Sequence, residues 1–152
     1  MSASGFNYSL RALLRMRDAE LSGARDQLTA ARRQVEERAR KLRDQLDRVL
    51  QLEQQGRKLV APGASIDLDA AQRVQRYLAL EQGEARKRQI ETDEARRGET
   101  QALGRWSTAR QAVRILERHR DTMALTFEME QARREQRRVD ELYLLSRREG
   151  DK

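Results

Sequence analysis

The sequence predicts an all-α fold of two long helices forming an antiparallel coiled-coil hairpin with an overhanging C-terminal helix. Three observations lead there. Charged residues make up 38% of the 152 residues and aromatic residues only 4%, too few large side chains for a central globular core but enough for helices that bury a narrow stripe. Apolar residues recur every seven positions over long stretches, which a disordered chain would not maintain. The single proline falls in one segment, KLVAPGASIDLDAAQR, that separates two such stretches.

The first helix is predicted over about 8–60. Its seam runs Leu14, Leu21, Leu28, Val35, Leu42 and Val49 at strict heptad spacing. A companion series, Leu10, Ala24, Ala31, Leu52 and Leu59, fills the other seam position, with polar gaps at Arg17, Arg38 and Gln45. Alternating steps of three and four keep both series on one face of a helix.

The turn is predicted over about 61–68. Pro62 cannot continue a helix and restricts Ala61 before it. Gly63 tolerates the backbone angles that end helices, and Ser65, Asp67 or Asp69 can cap the next one. A kink within one continuous rod that pairs with another chain is the competing reading. Proline, glycine and a cap so close together stop a helix more often than they bend it.

The second helix is predicted over about 69–149, completing a single coiled-coil domain over residues 1–152. Its seam opens with Ala71, Val74, Leu78 and Ala85, fades through GEARKRQIETDEARRGET, and recovers in Ala102, Trp106, Ala109, Val113, Leu116, Met123 and Phe127. At ~1.5 Å per residue the first helix is roughly 75 Å long, so folding back from the turn brings the second level with Leu10 at about His119. The remainder, DTMALTFEMEQARREQRRVDELYLLSRRE, is expected to overhang unpaired while carrying Met123, Leu125, Phe127, Met129, Val139, Leu142, Tyr143, Leu144 and Leu145. An apolar surface without an internal partner points to an external one.

Chemistry is nearly absent. There is no cysteine, so no disulfide and no thiolate metal site. The one histidine, His119, sits between Arg118 and Arg120 and reads as a solvated surface residue. No GxxxxGK[ST] phosphate loop occurs, and carboxylate neighbours such as Glu36 with Glu37, or Asp93 with Glu94, lie among arginines as exposed ion pairs. Not an enzyme is therefore the expectation, with no catalytic, cofactor-binding or metal-binding residue. The net charge of +7 raises nucleic acid as a partner, but the basic clusters are interleaved with acids and the few aromatics make no stacking platform. That charge still favours acidic partners or membrane surfaces. With no secretion-type leader and no apolar run of about 18 residues, the expectation is a cytoplasmic protein with no membrane insertion.

Three segments, in order, resemble the FliJ-like stalk and chaperone proteins of the flagellar type III export apparatus, relatives of the injectisome stalk proteins. GFNYSLRALLRMRDAEL resembles that family's aromatic opening followed by a leucine-rich turn. GASIDLDAAQRVQRYLALEQ is similar to its glycine-led loop and following helix, with Leu78 where a second aromatic usually follows the tyrosine. VRILERHR and the later EMEQARREQRRVDEL resemble its leucine-glutamate-basic segment and its late basic run. The resemblance implies an antiparallel hairpin similar to the central stalk of rotary ATPases. It also implies partners: the hexameric export ATPase, the cytoplasmic part of the export gate, and export chaperones.

On that reading the chain serves flagellum biogenesis, protein transport and motility, in the cytoplasm and peripherally associated with the inner-membrane export apparatus. The overhang would meet the ATPase ring through Met123, Phe127, Val139, Leu142 and Leu145, aided by Arg133, Arg134, Arg137 and Arg138. Leu50, Tyr77 and Leu80 would meet the gate. The alternatives are an injectisome stalk, or a structural coiled coil self-assembled through the Met123 to Leu145 stripe without an ATPase partner.

Overall fold

The computed structural model describes residues 5–63 and 65–150; residues 1–4 of the opening segment and Ala64 of the expected turn lie outside them. The fold is all-α: helix α1 spans Arg11–Leu59 and helix α2 spans Leu68–Gly150, packed against each other, and the described residues include no strand. The chain divides into two compact units, one of Gly23–Trp106 and one of Met1–Ser22 with Ser107–Lys152.

The Gly23–Trp106 unit contains the turn. The last turn of α1 carries Arg57 and Lys58 beside its exposed carbonyls, where positive charge is favoured. Val60 N–H still reaches Arg57 O at 3.4 Å, and then Pro62 and a left-handed Gly63, φ 91°, redirect the chain. Asp67 is the cap of α2. Its side-chain Oδ1 accepts from Ala70 N–H at 3.1 Å while its carbonyl accepts from Ala71 N–H at 3.0 Å. Proline and cap therefore act as a stop and a restart, as the sequence predicts.

Within this unit the helices run antiparallel: Arg32 pairs with Glu99, Arg38 with Glu91 and Gln45 with Glu81, and Gly56 lies against Val74, so partners descend α2 as α1 ascends. Leu28, Leu42, Val49, Ala85 and Ala102 are buried along the seam. Each such leucine contributes about 1.5–3 kcal/mol by leaving water.

The middle of α2 departs from expectation. The apolar spacing fades there, but the seam does not: Thr92 is fully buried, and Glu81, Arg88, Ala95 and Glu99 are half-buried, all in step with Ala85 and Ala102. Two of these polar positions meet polar side chains of α1: Gln45, one of the apparent gaps, donates to Glu81, and Arg32 pairs with Glu99. Thr92 bonds the carbonyl of Arg88 in its own helix, and Arg38, another apparent gap, pairs with Glu91 beside the seam.

The other unit joins the start of α1 to the later part of α2. Helix α1 begins three residues later than predicted, because Gly5–Leu10 runs as non-helical chain and Tyr8 O accepts from Arg11 N–H at 3.2 Å to start the helix. Tyr8 is 6% exposed; with buried Leu14 and Val113 it forms the core here.

Candidate functional site

The N-terminal segment determines where the free part of α2 begins. The Tyr8 hydroxyl donates to Leu116 O at 3.3 Å and stands 2.8 Å from His119 Nδ1, accepting from it in the tautomer that carries a proton there. His119 is thus exposed but engaged. Further along, the Phe6 ring lies 5.7 Å from that of Phe127 at an interplanar angle of 50°. The pairing therefore extends about two turns beyond His119, to Phe127, and the expected start of the overhang is corrected accordingly. The reason is geometric. Extended chain advances ~3.3 Å per residue against 1.5 Å in a helix, so two residues of the leading segment and their aromatic reach span eight residues of α2.

Past Phe127 every described side chain of α2 is exposed. Arg133, Arg134, Arg137 and Arg138 are among these, with Val139, Leu142 and Leu145. The predicted ring-binding residues do not form one stripe. At about 100° per residue, Met123 and Phe127 face the leading segment, Leu145 returns to that direction, and Val139 lies about a third of a turn away. A different series is continuous: Leu125, Met129, Ala132, Gln136, Val139 and Tyr143, at steps of four and three, on the side of α2 about 160° from Phe127. Its spacing is legible in the sequence but masked by Leu142 and Leu144, which lie between its members and the seam direction, and by Leu145, which lies in the seam direction itself.

In the Gly23–Trp106 unit, Leu50, Tyr77 and Leu80 are all exposed. They do not share a face. Leu50 lies one heptad before Arg57, which with Leu52, Gly56, Val60, Val74 and Leu78 lines an open apolar groove of about 590 Å³ beside the turn. Tyr77 and Leu80 lie two heptads before Glu91 and Glu94, which line a groove on the other side with Gln34 and Arg38. Any one flat partner reaches Leu50 or the Tyr77–Leu80 pair, not both.

Between these features lies a polar layer. Gln45, 3% exposed, donates through Nε2 to Glu81 O at 3.1 Å and to the Glu81 carboxylate. Arg38 meets Glu91 at 2.6 Å, and Thr92 Oγ1 donates to Arg88 O at 2.7 Å. Arg88 Nε is buried without a hydrogen-bond partner. Such groups are costly unless satisfied, and they disfavour pairings that would leave them unmatched.

Among the described residues no cluster of His, Asp or Glu could hold a metal ion, and no helix is long and apolar enough to cross a membrane. No family model matches the chain, and neither the curated proteins nor the solved structures compared with it contain a match.

Proposed function

We propose that this chain is a non-enzymatic stalk of the flagellar type III export apparatus, binding the hexameric export ATPase through the distal part of α2 and reaching the export gate with its turn end. One observation carries the reading: α2 continues past Phe127 with no α1 beside it, exposing Val139, Leu142 and Leu145 among four arginines. A helix end of this kind suits insertion into an apolar or acidic-lined ring cavity. The ordered resemblance to FliJ-like proteins supports the same assignment, including peripheral placement at the inner membrane and a link to export chaperones. The chain's role would be mechanical: a stiff paired element relays a change in the ring as a displacement at its other end.

The test is a pull-down with the export ATPase of the same organism, using the full chain and a chain ending at Gln131. Truncation there keeps the Phe6–Phe127 contact. Capture of the full chain and loss of the shortened one is the expected result. Equal capture would move the contact to the paired helices or the turn. No capture of either would remove the ATPase from the account.

A further inference from the structure

We infer that Phe6 is a removable cap on Phe127: in the free chain the leading segment covers the start of the ATPase-binding end of α2, and it yields Phe127, pivoting at Tyr8, when the ATPase engages. This rests on the stalk reading and adds regulation to the same contact. Phe127 is half-buried, every described side chain after it is exposed, and the side chain that lies on it is Phe6.

The leading segment is held unevenly. Tyr8 is buried, donates to Leu116 O at 3.3 Å and lies against His119, which makes it a fixed point. Phe6 is only half-buried, and Gly5 and Asn7 on either side of it are exposed. Residues 5–10 carry no charged side chain, and among the described residues no backbone hydrogen bond ties them to α2. Phe6 can therefore leave while Tyr8 stays, at the cost of one partly exposed aromatic contact. A contact of that size is open on the order of a tenth of the time.

The surface beneath the cap has the spacing of a seam. Leu116 and Met123 continue Ala102 and Ala109 at steps of seven, and Phe127 lies two heptads past Val113. Helix α1 begins only at Arg11, after Tyr8 has already met Leu116, so no helix stands beside Met123 and Phe127. These positions have the period that packs against a helix, yet they hold non-helical chain. A helix of the ATPase presenting a large apolar side chain fills the place of Phe6 and covers Met123 as well. Only the open chain offers Phe127 to it, so the observed affinity is the intrinsic affinity reduced by the open fraction. Until then the cap keeps this apolar step out of water.

The experiment titrates the export ATPase of the same organism with full-length variants. Phe6→Ala should bind about tenfold more tightly than native, because the competing side chain is gone. Phe127→Ala breaks the same aromatic pair from the other side and should lower the melting temperature to a similar extent. It should nevertheless bind at least about tenfold more weakly than Phe6→Ala, and combining the two should match Phe127→Ala alone. The chain has no cysteine, so a nitroxide at Asn7→Cys reports the cap directly: its immobilised component should shrink in Phe127→Ala and on adding the ATPase. A pair that only orders the helix would make Phe6→Ala and Phe127→Ala equally weak binders. That result, binding tightened less than about threefold by Phe6→Ala, or a label that stays immobilised in the complex would each overturn the cap and leave the stalk standing. Failure of every chain, native included, to bind the ATPase would remove the stalk reading and the cap with it.

Discussion

The ring of Phe6 packs on that of Phe127, 5.7 Å away and tilted by 50°, although the two residues stand near opposite ends of the chain. This contact, together with Tyr8 on His119, clamps the leading segment onto α2 and makes residues up to Phe127 part of the folded structure. Ending the chain at Arg120 should therefore lower the melting temperature, because Phe127 is lost and Phe6 left uncovered. Ending it at Gln131 should leave the melting temperature within about 1 °C of native. Phe6→Ala should cost about 1–2 kcal/mol, since the aromatic pair is only partly buried. Equal melting temperatures for the two truncations would show that the clamp contributes nothing.

The register of α1 is checked on the seam. Leu28→Ala and Leu42→Ala should each destabilise by about 2–4 kcal/mol, at the lower end because the surrounding seam remains partly hydrated. Arg25→Ala and Arg40→Ala, on exposed positions, should change stability by no more than about 0.5 kcal/mol. Chemical denaturation curves of the four variants provide the comparison; similar losses in both classes would contradict the seam as drawn.

What could be read in advance was the part of the fold that a single helix announces by itself. Leu14, Leu28, Leu42 and Val49 repeat at seven, and all four are buried. Pro62, Gly63 and Asp67 mark the turn by their own backbone chemistry. The middle of α2 was not legible, because Glu81, Arg88 and Thr92 look like surface residues until Gln45 and Arg38 are known to lie opposite that stretch. That matching is a relation between two segments, and periodicity within one cannot reveal it. Phe6 lies outside the expected paired structure and Tyr8 inside the expected first helix for another reason: an extended segment has no helical period, so its partners on α2 follow from its greater rise per residue. The exposed ends were recognised as exposed, but which of their residues share a face depends on angles around the helix. For that reason Leu50 separates from Tyr77 and Leu80.

Gly56 gives a stabilising substitution. It lies inside α1 at a seam position, and a methyl group added there would meet Val74 Cγ1 at 3.6 Å, ordinary van der Waals contact with no clash. Gly56→Ala should raise stability by about 0.5–1.5 kcal/mol, from helix propensity and from apolar contact at the groove beside the turn. The increase should appear in thermal melts without a change in oligomeric state. A loss of stability would mean that the helices approach more closely at this level than the Gly56–Val74 spacing implies.

The polar layer separates stability from specificity. Gln45 is almost fully buried and its amide donates to both the backbone carbonyl and the carboxylate of Glu81. Gln45→Leu alone should destabilise by about 1–2 kcal/mol, because it leaves both Glu81 acceptors without their donor. Replacing both residues, Gln45→Leu with Glu81→Leu, removes the unsatisfied group and adds two apolar side chains to the seam. The double variant should therefore be more stable than native by about 1–3 kcal/mol. It should also lose discrimination: with leucine at these positions, pairing shifted by one heptad, or pairing between two chains, no longer buries an unmatched amide or carboxylate. Melting curves should show the gain, and sedimentation should show species larger than those of the native chain at equal concentration. A double variant less stable than Gln45→Leu would show that the Gln45–Glu81 pair is a net source of stability, and an unchanged distribution of species would remove its role in fixing the register.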